Sequence, residues 1–257
     1  MNAQEVFETP HDCSPKKVFM LTAYLDESAH ESRDVMILAG FLGDSAQWKI
    51  CEENWRLALG KRQHLHMNEL RWSKPDRLKG LLHNLGSVPH SAGLQAVFAT
   101  ARMKDYDDLI IGTKIAPFLR SYYFSLFGII ALISKGIPHD ETFKIVLESN
   151  QRYMANADLI FQVSRRLKTP EGTPKLISLE FIDKGISLLT EPGDYLAYAL
   201  LQTDRDPAGI KAALSSPILK NTKPAWCVRH HNQPEQLREL VIALGAKHPA
   251  LMEKQDG

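Results

Sequence analysis

The chain has 257 residues, 44% of them hydrophobic and 24% charged, with a formal net charge of +1. That length supports one large domain, or one domain with appendages, whose core needs no staples. The near-neutral balance excludes a whole-protein basic field, so a nucleic-acid partner must be drawn by a local patch or by metal ions.

Residues 1–16 read as a flexible arm, with Pro10, Pro15 and no periodicity. Its polar, acidic beginning is unlike a signal peptide. Val18–Leu25 predicts a strand buried on both faces, ending at Asp26 and Glu27 before a polar turn, SAHESRD. VMILAGFL (35–42) predicts a second apolar strand, paired with the first as a hairpin. Ser45–Leu59 carries Trp48, Cys51, Trp55 and Leu59 at helical spacing, with Asp44 or Ser45 to cap it and Gly60 to close it. His64–Leu70 reads as a short extended piece, and Pro75–Leu85 as a helix ended by Gly86. Leu94–Met103 alternates and predicts the third strand.

From Pro117 to Gly136 the sequence predicts a helix apolar nearly all round, which belongs on a sheet inside the protein. Its most apolar part, Tyr122–Ile133, falls short of the ~20 residues of a membrane span. Phe143–Asn150 is the fourth predicted strand, Met154–Leu167 a helix, and Leu176–Asp183 the fifth strand. EPGDYLAYALLQ opens a further helix with Pro192 in its first turn. After a break at Asp204–Pro207 come a short Ala-rich helix near 208–214, a loop, and an amphipathic helix near Pro234–Leu244. Cys13, Cys51 and Cys227 are far apart with no paired spacing, poor material for a disulfide framework, which predicts a cytoplasmic protein.

This order predicts an α/β protein with a mixed five-stranded sheet flanked by helices, the layout of the RNase H-like fold. The domain spans 17–203 with a helical insert at 44–90, and 204–257 forms a helical C-terminal extension. In that layout the first and fourth strands run parallel and adjacent. Asp26 and Glu148 then lie at their C-terminal ends, on the edge where open α/β sheets bind ligands. Asp194, in the first turn of the helix after strand five, emerges on the same edge.

Gathered carboxylates repel one another and stay ionised at low cost only around a cation. Oxygen ligands of this kind suit magnesium or manganese. Two such ions roughly 4 Å apart activate a water and stabilise the leaving oxygen in phosphodiester cleavage. Asp26 and Glu27 point to opposite faces if both stay in the strand, so Asp26 is the favoured ligand. Glu27 joins it if the strand bends at Ser28, or else holds a basic neighbour. Each acid also has a plain structural reading: Asp26 as a turn former, Glu148 as a solvated strand end, Asp194 as a helix-start residue favoured by the dipole.

YLDES, the apolar AGFL strand and the Trp-bearing helix (Trp48, Trp55) together resemble the domain-of-unknown-function family 3800. HMNEL (His66–Leu70), LESN and PGDYLAYAL (Pro192–Leu200) extend the resemblance over about residues 18–203. Three positions depart from the family's pattern: Ala29 for its Gly, Gly193 for its Ala, and Glu148 where many members have Asp. The last keeps the charge but lengthens the arm. The resemblance implies a mainly bacterial family of RNase H-like fold, with Asp26, Glu27, Glu148 and Asp194 as an acidic metal centre. His66 would approach that centre to orient water or stabilise phosphate, with Glu69 beside it.

Other groupings are weaker. His64 and His66, with Cys227, His230 and His231, have no standard zinc spacing. Arg120, Arg152 and Lys184 lie near predicted element ends, where phosphates could meet them. Lys220, Lys223, Arg229, His230 and His231 surround Trp226 and read as a solvated loop before a nucleic-acid contact. Glycine-rich phosphate loops and a GxSxG elbow are absent. The expectation is a nuclease dependent on Mg2+ or Mn2+, with nucleic acid as partner. The alternative is a non-catalytic protein- or nucleic-acid-binding module, and aromatic helices leave a homodimer or protein partner open.

Overall fold

The computed structural model describes residues 20–30, 35–102, 121–138, 140–149, 174–222 and 225–229, with residues 154, 160–162 and 164 of a further helical stretch. Its strands are β1 (Met20–His30), β2 (Val35–Gly43), β3 (Gln95–Arg102), β4 (Thr142–Glu148), β5 (Leu176–Ile182) and β6 (Ala225–Arg229). They form one mixed sheet in the order β5-β4-β1-β2-β3-β6. β1, β2 and β3 pair antiparallel in succession. β4 lies parallel to β1, β5 parallel to β4, and β6 parallel to β3.

Helices α1 (Ser45–Leu59), α2 (Pro75–Ser91), α3 (Ser121–Gly136), α4 (Glu191–Arg205) and α5 (Ile210–Asn221) flank the sheet. Asp44 caps α1 through a reciprocal pair: its carboxylate accepts the Ala46 and Gln47 amides, and the Gln47 side chain accepts the Asp44 amide. The four residues at helical spacing, Trp48, Cys51, Trp55 and Leu59, are all buried. They join Val35, Ile37, Ala39 and Phe41 of β2 and the α4 residues Tyr195–Ala199 in one core. The alternate residues Met36, Leu38 and Leu42 face a second core filled by α3. From α3, Tyr122, Tyr123, Leu126, Ile129, Ile130 and Ile133 are buried in that core. Among the described residues no helix is long and apolar enough to cross a membrane.

Several expectations are corrected. The sheet has six strands, not five, because AWCVR in the supposed helical extension pairs with β3. The Trp226 ring packs on the second core and against Gly136 instead of standing in a solvated loop. β1 does not stop at the two acids. Ser28, Ala29 and His30 pair with Ile37, Met36 and Val35, because an apolar partner strand completes the ladder whatever the polarity of the side chains. His64–Leu70 contains a 3₁₀ turn, Met67–Glu69, instead of running extended throughout.

α2 also continues past Gly86 to Ser91, and α5 past 214 to Asn221 with Pro217 inside it. These two extensions explain each other. A Cβ at Gly86 would stand 2.7 Å from the Ile218 amide nitrogen and 2.9 Å from the Pro217 carbonyl carbon, so the bare glycine lets α5 seat on α2. Gly86→Ala is therefore expected to destabilise by about 1–3 kcal/mol, as overpacking against backbone does. A shift of the denaturant midpoint at unchanged slope would measure it. The arm 1–16, Arg120, Asn150, Arg152, Lys223, His230, His231, the 234–244 helix and most of 154–167 lie outside the described residues.

Candidate functional site

The register builds the site. Leu25 of β1 stands beside Leu147 of the parallel β4, so Asp26 and Glu148 are the next residues along two adjacent strands. Asp26 is opposite Ala39 and shares its sheet face, the one covered by α4. Glu27 is opposite Leu38 and belongs to the α3 face. α4 begins directly over β1. A Cβ on Gly193 would lie 3.2 Å from both the Asp26 amide nitrogen and the Ala39 carbonyl oxygen, so the glycine permits the close approach. Asp194 follows it in the first turn of α4 and closes the third side.

One cleft is lined by Asp26, Glu148, Asp194 and His66, together with His64, Glu69, Lys184 and Glu191. Seven of the residues singled out from the sequence therefore meet, the three acids Asp26, Glu148 and Asp194 with His64, His66, Glu69 and Lys184. Glu27 does not line the cleft, although its amide donates to Asp26 Oδ1 at 2.8 Å. Asp194 Oδ2 accepts the Met67 amide at 2.9 Å and faces His66 Nδ1 at 2.9 Å. On the far side of that ring, Lys184 Nζ stands 2.6 Å from Nε2, and Glu69 lies 4.0 Å from Lys184. An ammonium cannot share a nitrogen that already carries a proton. Nε2 is therefore the acceptor, and Nδ1–H donates to Asp194.

The carboxylates strain against burial and one another. Asp26 is only 4% exposed, and burial, then Asp194, Glu27 and Glu148, push its carboxyl well above the usual range. Glu148 is raised by burial too, with Lys184 opposing. Glu191 is pushed up to about 7, chiefly by burial, against hydrogen bonds from Trp55 and the Leu65 amide. The His66 imidazole is raised, mainly by its hydrogen bond to Asp194.

A set of oxygen donors raised in this way has the chemistry of a hard-cation site. The side chains do not already form a cage: among the described residues no three His, Cys, Asp or Glu groups stand where they could hold one ion. Asp26 Oδ1 and Asp194 Oδ2 each accept a backbone amide, and with no cage preformed among the described residues a shared cation requires the side chains to move. Of the zinc grouping, exposed Cys227 sits on β6, three strands along the sheet from β1, and His230 and His231 lie outside the described residues.

Sequence reasoning missed Glu191 and Trp55. An acid beside Pro192 at a helix start is explained by the dipole alone, and nothing local marks it as 6% exposed. No protein-family model matches the chain, and no curated protein is similar to it.

Proposed function

We propose that the chain is a metal-dependent phosphodiesterase of nuclease type on an RNase H-like fold. The observation that carries the reading is the meeting of Asp26, Glu148 and Asp194 in one cleft, with Asp26 and Glu148 pushed toward protonation. The strand order, with three antiparallel strands and then parallel β4 and β5 beside β1, supports the fold assignment. Asp26, Glu148 and Asp194 would hold one or two Mg2+ or Mn2+ ions, with Glu27 behind the strand adding negative charge. When bound, such ions supply an activated water and neutralise charge on the leaving oxygen.

The chain's own groups supply the rest. Asp194 fixes the His66 tautomer and leaves Nε2 facing Lys184. A phosphate entering the cleft offers Lys184 a better partner than a neutral ring. When Lys184 turns to it, Nε2 is released to accept a proton. Nucleic acid is the proposed substrate, drawn to the cleft by its cation instead of by a basic surface, since the whole chain carries only +1.

One observation favours a non-catalytic binding module: Lys184, His66 and Asp194 already satisfy one another without an ion. Manganese separates the readings. A cation centre gains about 2.7 kcal/mol of stability at 100 times its Kd, seen as a rise in melting temperature, and manganese-dependent cleavage of single- or double-stranded DNA or RNA accompanies it. A melting temperature indifferent to manganese and magnesium would sink the metal reading. A rise with no cleavage of any of these substrates would leave the binding module.

A further inference from the structure

We propose that the corner between α4 and α5 is a phosphate site, holding the backbone of a single nucleic-acid strand whose scissile bond lies in the acidic cleft. The strand rests on the reading above; the phosphate site rests on geometry. A cavity of about 240 Å³ opens at this corner. Gln202, Arg205 and Asp206 line it from the end of α4, and Gly209 with the first turn of α5 lines the other side.

α5 starts uncapped. Gly209 stands at the N-cap, where Ser, Thr, Asp or Asn would bond the first amides, and it has no side chain to do so. The amides of Ile210, Lys211 and Ala212 therefore lack partners within the helix, and no acid occupies that turn. The positive end of the helix dipole favours an anion there. An open helix end alone marks no ligand. The independent observation is Gln202, which lines the same cavity while only 6% exposed. Its carboxamide bonds no described residue. A buried amide left without a partner is costly, and a phosphate oxygen in the cavity would accept its N–H. Lys211 and Arg205 bring two positive charges, against the one carboxylate of Asp206. Cations and N–H donors outnumber acceptors, as phosphate requires.

The cavity is aligned with the cleft. Asp194 and Arg205, like Glu191 and Gln202, are about three turns apart on α4, so each pair shares a face roughly 16 Å apart. Tyr198 lies between them, and Trp72 stacks on its ring with centroids 5.3 Å apart. Trp72 is half-buried, and the Lys211 ammonium stands 5.8 Å from its ring centre. An aromatic ring and a cation thus occupy the interval, the pairing that single strands use, since only an unpaired base can stack on a side chain. At about 3.4 Å per stacked nucleotide, the interval corresponds to about five nucleotides.

Inorganic phosphate tests the site first. In 15N-labelled, metal-free protein it should shift the amides of Ile210–Ala212 and the Gln202 side chain to saturation. Lys211→Met should weaken that binding roughly 10-fold, the usual effect of one hydrogen bond between charged groups. Lys135→Met, an exposed cation on the α3 face of the sheet, should leave it unchanged. Strand binding is then read by anisotropy in magnesium, with phosphorothioate single strands that resist cleavage. Lys211→Met should weaken a strand of roughly eight nucleotides about 10-fold and spare one of roughly three, too short to span the interval. The slope of log affinity against log salt should fall by about 0.7 for the longer strand.

Native amides at 210–212 that ignore phosphate would overturn the site, as would a folded Lys211→Met protein of native phosphate affinity. If Lys211→Met does not fold, Gln202→Glu takes its place, since a carboxylate of the same size repels phosphate. Phosphate binding with native strand affinity in the variant would refute the strand as occupant. Equal losses for short and long strands would refute the alignment with the cleft. A native chain that cuts no strand with any metal would refute the nuclease reading, while the amide shifts would still decide the phosphate site.

Discussion

Asp26→Asn should lower manganese-dependent cleavage by more than about 100-fold, beyond the usual loss on removing a residue that only supports a ligand. In metal-free protein at about pH 8 the same substitution should raise the melting temperature. The two effects have one cause. Asp26 is 4% exposed and is pushed well above its ordinary range by burial and by three neighbouring acids. Its charge is a cost to the folded chain unless a cation offsets it. Asparagine removes that charge and retains an oxygen for the Glu27 amide. The variant should also lose most of the stabilisation by manganese. A surface or turn aspartate would behave otherwise, with cleavage and manganese response unchanged and stability unaltered or reduced. Cleavage at native rates by a folded Asp26→Asn protein would end the proposal that Asp26 is a ligand.

Metal-free protein should be more stable near pH 5 than near pH 8. Asp26, Glu148 and Glu191 all hold protons more tightly in the folded chain than in the unfolded one. Their ionisation therefore costs stability, a cost absent below the ordinary carboxyl range and complete above the folded values. For Glu191 the window runs from 4.5 to about 7, which corresponds to on the order of 3 kcal/mol. The His66 value is raised as well, so its protonated form adds stability below about pH 6.5 that is lost as pH climbs through the folded value. All four groups act in the same direction. A difference of about 3 kcal/mol moves the melting temperature of a chain of this size by roughly 6–12 °C. Scans in chelator across that range would measure it, and manganese should flatten the profile. Stability rising from about pH 5 to pH 8 would contradict the buried acidic cluster.

Much of the architecture was legible because local pattern carries it. Trp48, Cys51, Trp55 and Leu59 recur at helical spacing, and α1 buries those four. Val35–Gly43 has no polar side chain, and every residue of β2 is buried. Three strands followed by alternating helix and strand implied β1 beside β4, and with that the adjacency of Asp26 and Glu148. Alternation within β1 separated Asp26 from Glu27. The PGD sequence carried both the glycine that lets α4 approach β1 and the acid that follows it.

The sequence by itself thus determined the first five strands and, in outline, helices α1 to α5, and that Asp26, Glu148 and Asp194 come to one edge, because side-chain periodicity and element order are properties of neighbours along the chain. Only the tertiary structure decided that AWCVR is a sixth strand, that β1 runs on to His30, and that α2 passes through Gly86. It alone placed His66 on Asp194 and buried Glu191 beneath Trp55. The ladder of β6 on β3, the seat of α5 on Gly86 and the desolvation of the Glu191 carboxyl depend on partners more than a hundred residues away, and no local window of sequence contains them.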